Sequence, residues 1–260
     1  MHAPDTLDVV VTLLISCGLG GAAYARGVLS WLGTILAAMM GIVIGLSAGW
    51  EFVALLLLYL VTSFAVTLYG YSAKKAAGVA EGKKGERGWK SVLANGFVPM
   101  VIAFLHLFDI PGVDRWMLSL LFLTAIAAAA ADTAASELGV LTRDPVLITR
   151  PRLRVKPGTN GGISTRGQFF ALAASFYTVV MGAAFFTVAD TLEGSPLQIG
   201  WTELVLLAPI AVGLGFVSCQ IDSVLGATLE NKGHLGKNGV NLVSIALTSL
   251  LTLLLLLLLT

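Results

Sequence analysis

WMLSLLFLTAIAAAAADTAASELGV, Trp116–Val140, has no charge from Trp116 to Ala131 and then places two acids, Asp132 and Glu137, before its end. A helix of about 20 mostly apolar residues crosses the hydrocarbon of a bilayer. The segment therefore predicts a membrane span with ionisable groups near one end. The same criterion, applied outward along the chain, predicts spans at Leu7–Ala25, Val28–Ala48, Phe52–Tyr71, Ser91–Phe108, Gln168–Ala189, Thr202–Leu225 and Gly239–Leu259. The second and third of the eight are separated only by Gly49–Glu51, so one kinked hairpin is an alternative reading there. Composition agrees with a membrane protein. The 260 residues are 57% hydrophobic and 12% charged, against roughly 25% charged in soluble domains, and mean hydropathy is +0.88. That leaves too little polar surface for a water-soluble bundle. The expected fold is all-α, a single polytopic transmembrane helical domain over residues 1–260.

Charge orients it. The loops 72–90, 141–167 and 226–238, together with Arg26 in the first tight turn, hold 15 of the 16 lysines and arginines; Arg115 alone falls on the other side. The positive-inside rule puts these loops in the cytosol and both termini outside. The chain then reads as four hairpins opening to the cytosol, expected in the cell (plasma) membrane. The first run has acidic flanks, Asp5 and Asp8, where a secretory signal needs a basic one, so it is read as a retained span.

Cys17 and Cys219 fall in apolar runs and read as small buried residues. No His/Cys spacing suits zinc, and no Ser/His/Asp grouping stands out. The basic loops lack interleaved stacking aromatics, which argues against nucleic acid. A homo-oligomer is compatible with the sequence.

Three acids, Asp132, Glu137 and Asp222, lie late in their spans, within roughly 12 Å of the cytosolic boundary at 1.5 Å per residue. Such residues face a partner or a cavity, because a charge in hydrocarbon is costly. Carboxylates beside basic loops suit Mg²⁺, which one or two carboxylates hold while phosphates and water complete its octahedron. Asp132 and Asp222 are the expected ligands, with Glu137, Ser136 and Ser223 as direct or supporting ones. Lys156-Pro-Gly-Thr159-Asn160-Gly161-Gly162-Ile-Ser164 suits an anion, because glycines let successive N–H groups converge and a following helix adds its N-terminal dipole. Ordinary turns use the same dipeptides. A faint echo relates Asp132-Thr133 followed by Asn160-Gly161 to Asp222-Ser223 followed by Asn238-Gly239. A parallel duplication or chance would produce it.

Five strings in order resemble one family. They are Lys83-Lys84-Gly85-Glu86-Arg87 with Val92-Leu93-Ala94-Asn95-Gly96, Ala131–Gly139, Lys156–Ser164, Asp222–Thr228, and Asn238-Gly239-Val240-Asn241. They are similar to motifs of the family that contains plant and cyanobacterial phytyl-phosphate kinase and animal transmembrane protein 19. The segment Lys232–Lys237 departs from the motif pattern. The resemblance implies conversion of a prenyl monophosphate to its diphosphate by a nucleoside triphosphate, CTP or ATP. Residues and resemblance lead to one expectation, in-line attack of the prenyl phosphate on the γ-phosphate. Asp132, Asp222, Lys156 and Glu137 form the catalytic set, with Asp132 and Asp222 holding Mg²⁺. Thr159, Asn160, Gly161, Gly162, Ser164, Asn238 and Asn241 cradle phosphates. Lys83, Lys84 and Arg87 stabilise transferred charge, and Asn95 is a further phosphate-binding residue. Other readings are a polyprenol kinase, a CDP-lipid-forming transferase, or a transporter.

Overall fold

The computed structural model describes residues 6–80, 82, 85–193 and 201–259. Its element order is α1 (Thr6–Leu13), a π-helical segment (Leu14–Leu19), α2 (Gly20–Ala25), α3 (Trp31–Ala48), α4 (Trp50–Leu68), α5 (Tyr71–Ala76), α6 (Trp89–Leu105) and α7 (Arg115–Gly139). Strands β1 (Val146–Leu147), β2 (Arg150–Arg154) and β3 (Gly162–Ile163) follow, then α8 (Thr165–Glu193), α9 (Trp201–Leu225), a second π-helical segment (Gly226–Glu230) and α10 (Lys237–Leu259).

Among the described residues, seven helical stretches are long and apolar enough to cross a bilayer, and α6 is a shorter apolar helix. Each of these helical stretches overlaps one of the predicted segments. The all-α polytopic reading holds, with corrections in the loops. Segment 141–167 carries a small antiparallel sheet in the order β2-β1-β3. Segment 226–238 is largely helical, because the π turn prolongs α9 and α10 begins at Lys237. Within 72–90, α5 is a short helix.

Around Gly49 the two expected spans are separate helices, and the alternative single kinked hairpin does not occur. Gly49 alone joins α3 to α4, with φ 125°, a conformation side chains disfavour. Asp8 of the first span is buried and its Oδ1 accepts from the Trp50 N–H at 3.2 Å, capping α4. The first span also lies tightly on α3. A Cβ at Gly41 would meet Ser16, and one at Gly45 would meet Thr12. Such spacing of small residues lets membrane helices approach closely.

The helix α7 is the axis. It packs against α4, α6, α8, α9 and α10, and 94% of its apolar window is buried, against 17–39% for the other candidate spans. The run Ala127–Ala131 makes this enclosure feasible, since small side chains allow neighbours in from every direction. A Cβ on Gly215 of α9 would already lie 3.0 Å from that of Ala127. Elsewhere the bundle turns large apolar side chains such as Leu254 and Leu258 outward, as suits lipid.

Ala127→Phe should overpack this axis and lower stability by about 1–3 kcal/mol or more. Thermal unfolding in detergent checks this: the midpoint falls for Ala127→Phe, and Leu254→Ala on the outer face leaves it nearly unchanged.

Candidate functional site

The helices α7 and α9 end where α8 and α10 begin, and a cavity of about 310 Å³ opens among the four ends. Its floor is acidic. Asp132 on α7 and Asp222 on α9 line it, close enough for their charges to interact. The first turns of α10 supply one donor to each. The Asn241 amide donates to Asp132 Oδ2 at 3.3 Å, and the Ser244 hydroxyl donates to Asp222 Oδ2 at 3.3 Å. A spacing of three residues puts Asn241 and Ser244 on one helical face, so α10 fixes both carboxyls at once.

The segment Pro157–Ser164 forms the opposing wall. It is fastened at several points. Gly161 has φ 75° and lies against α9, where a Cβ would come 2.6 Å from the Ser223 carbonyl oxygen. Asn231 donates to the Asn160 carbonyl at 3.4 Å. Thr159 accepts from Gly162 N–H. Ser164 caps α8, its Oγ accepting from Gly167 N–H at 3.1 Å. Gly139 and Gly167 let α7 and α8 meet backbone to backbone beside it: a Cβ at Gly139 would lie 3.1 Å from Gly167 Cα. The first turns of α8 and α10 both line the cavity, through Ser164, Gly167 and Gln168 and through Lys237 and Asn241. Helix N-termini favour anions.

Glu137 also lines the cavity, but its Oε2 accepts from Lys74 at 2.6 Å. The Lys74 side chain is fully buried and donates as well to the Val66 and Thr67 carbonyls, at 2.9 and 3.0 Å, closing the end of α4. This ties α5 to the cavity wall. Val79, just beyond, lines the cavity against Gly158.

The structure thus gathers Asp132, Ser136, Glu137, Thr159, Asn160, Gly161, Gly162, Ser164, Asp222, Ser223 and Asn241 around one space. It does not bring in every residue expected there. Lys156 is exposed and outside the lining, as is half-buried Asn238. Arg87 and Asn95 are buried in a different cleft. Lys83 and Lys84 lie outside the described residues. Among the described residues, the cation lining the cavity is Lys237, and Gln168 and Glu230 join it. Lys74, Ser244 and Glu230 were not anticipated. For Ser244 a signal existed in its i+3 spacing from Asn241. Lys74 in a basic loop resembles any topology signal.

Among the described residues no group of three or more His, Cys, Asp or Glu forms a metal cage. The donors present still suit Mg²⁺. Two adjoining carboxylates repel when both are charged, and a hard divalent cation beside them relieves this while leaving positions for phosphate oxygens and water. Asp132 and Asp222 would hold it, with the Ser136 and Ser223 hydroxyls at hand.

Fold and site together define a polytopic helical membrane protein with a two-carboxylate cavity at one end of its bundle. The chain belongs to the family described as integral membrane protein DUF92, whose sequence profile matches residues 14–249. It is 30% identical over 245 residues to an uncharacterized membrane protein of Methanocaldococcus jannaschii, covering 92% of each chain. It is 30% identical over 281 residues to Protein PGR of Arabidopsis thaliana, covering 95% of this chain and 96% of that one. It is 28% identical over 243 residues to Protein VTE6, chloroplastic, of the same plant, covering 92% and 64%. No solved structure matches.

Lys74→Met should leave the Glu137 carboxylate buried without its cation, at a cost of about 3–5 kcal/mol. Unfolding midpoints check this: the single variant falls sharply, and Lys74→Met combined with Glu137→Leu recovers most of the loss.

Proposed function

We propose that this chain is a membrane kinase that transfers a phosphoryl group from a nucleoside triphosphate to an isoprenoid monophosphate, giving the diphosphate. One observation carries the reading: a paired-carboxylate floor faces a glycine-rich loop and two helix N-termini within a single cavity. Phosphoryl transfer calls mainly for positioned phosphates and groups that stabilise spreading charge. The motif resemblance to the phytyl-phosphate kinase family supports the choice of acceptor, and the relation to VTE6 is consistent with it.

In the proposed reaction an oxygen of the prenyl phosphate forms a bond to the γ-phosphorus. The bond from that phosphorus to its bridging oxygen breaks, and the nucleoside diphosphate leaves. The acceptor oxygen is already ionised near neutral pH, so the chain needs no strong general base. Asn241 and Ser244 hold the Asp132 and Asp222 carboxyls in register. Gly161 and Gly162, seated against α9, and the first turns of α8 and α10 receive phosphate oxygens. Lys237 adds positive charge at the rim. Bound Mg²⁺ would neutralise phosphate charge beside the two aspartates. The acceptor's hydrocarbon chain stays among the apolar helices, and the nucleotide enters from the cytosol, where the positive-inside rule puts the basic loops. The acids lie toward the ends of α7 and α9, unlike the midplane sites of transporters on broken helices.

The test is purified protein with Mg²⁺, a panel of prenyl monophosphates and CTP or ATP, read by mass spectrometry. The expected product is a prenyl diphosphate. A CDP-lipid with pyrophosphate, phosphorylation of a free prenol, or solute flux into liposomes without transfer would each replace the reading. Asp132→Asn and Asp222→Asn should each lower the rate about 10²–10³-fold while leaving the unfolding midpoint near that of the parent.

A further inference from the structure

A second cleft, of about 80 Å³, lies among the first span, α3, α4 and α6 and shares no lining residue with the carboxylate cavity. Its walls are hydrocarbon, from Ile15, Leu29, Ala38, Val53 and Leu57 among others. Set into them are a few buried polar groups. The Asn95 amide donates to the Ser91 carbonyl at 2.8 Å, while its Oδ1 has no hydrogen-bond partner among the described residues. The Ser16 hydroxyl also has none. Asn95 is 3% exposed and Ser16 7%. Arg87 lines the same cleft and donates Nη1 to the Tyr59 hydroxyl at 3.2 Å.

Buried polar atoms are normally satisfied, so each exception calls for a partner. Here the required partner must donate to Asn95 Oδ1 and fit a space otherwise apolar. A phosphate diester has only acceptors and would set oxygen against oxygen. A hydroxyl both donates and accepts, and Ser16 can pair with it in either sense. The cleft's volume, about 80 Å³, leaves room for a hydroxyl and the first carbons of one chain.

We infer that this cleft binds the hydroxyl end of a single-chain lipid alcohol, its hydroxyl between Asn95 and Ser16 and its first carbons against the walls from α3 and α4. A chain of hydrogen-bonding groups links the cleft to α7. The Tyr59 hydroxyl that accepts from Arg87 lies 3.4 Å from the hydroxyl of Thr133, the neighbour of Asp132. The inference does not depend on the kinase reading, because it concerns binding at a separate place.

The experiment uses the full chain in nanodiscs with a diazirine-bearing C15 prenol, followed by peptide mapping. Saturable labelling of peptides from α3 and α6 is expected, competed by unlabelled farnesol but not by farnesyl phosphate or squalene. Ala38→Phe, which fills the cleft, should abolish it. Asn95→Leu and Ser16→Ala should each weaken it about 10-fold, with unfolding midpoints confirming folded protein. The inference is overturned by labelling that never saturates, that spreads over all outward-facing helices, or that farnesyl phosphate competes as well as farnesol. Ala38→Phe labelling equal to the parent's would overturn it too.

Discussion

Everything else in the structure follows from the enclosure of α7. A transmembrane helix with a lipid-facing side can leave that side inert, and any polar residue on it must be explained by water or by snorkelling. A helix ringed by α4, α6, α8, α9 and α10 has no such side. Its polar groups therefore meet protein or the cavity that α7 helps to enclose. Asp132 turns to α9 and α10, Thr133 to Tyr59 of α4, and Glu137 to Lys74 beyond the end of α4. One and a half turns of α7 thus set both an acidic wall and the contacts that brace it.

The same enclosure gives the cavity its polarity. Helices that end here bring carboxylates, and helices that begin here bring N-terminal dipoles and side-chain donors. Acids on the one pair and anion-favouring ends on the other make complementary walls of one cavity. The π turn at Gly226–Glu230 extends α9 past Asp222 and carries Glu230 to the rim. Such turns often mark functional places in helices. The Pro157–Ser164 wall is held by backbone contacts to α9 and by the Ser164 cap on α8, so its shape does not depend on a bound phosphate.

Much of this was legible in the sequence. Apolar runs of about 20 residues have few alternatives, so the span positions could be read directly. Asp132 and Asp222 stood out because acids in such runs need a reason. What could not be read was which polar residues share a space. Arg87 and Asn95 stand beside glycine-rich basic motifs, yet backbone pairing of Arg87 with Val28 and Ser30 draws them to the α3 side. No side-chain pattern announces that pairing. Lys74 looks like one more juxtamembrane cation, although it is among the most buried side chains of the protein. The strands flanking Arg150–Arg154 have only two residues each, too short for alternation to register.

In the proposed kinase, Asp132 and Asp222 would hold a divalent cation between them. Mn²⁺ titration of the purified protein, followed by electron paramagnetic resonance, tests it without relying on turnover. The account predicts one saturable Mn²⁺ per chain, displaced by Mg²⁺ and lost in the Asp132→Asn, Asp222→Asn double variant. Saturable binding that survives the double substitution, or its absence both with and without a nucleoside triphosphate, would contradict it.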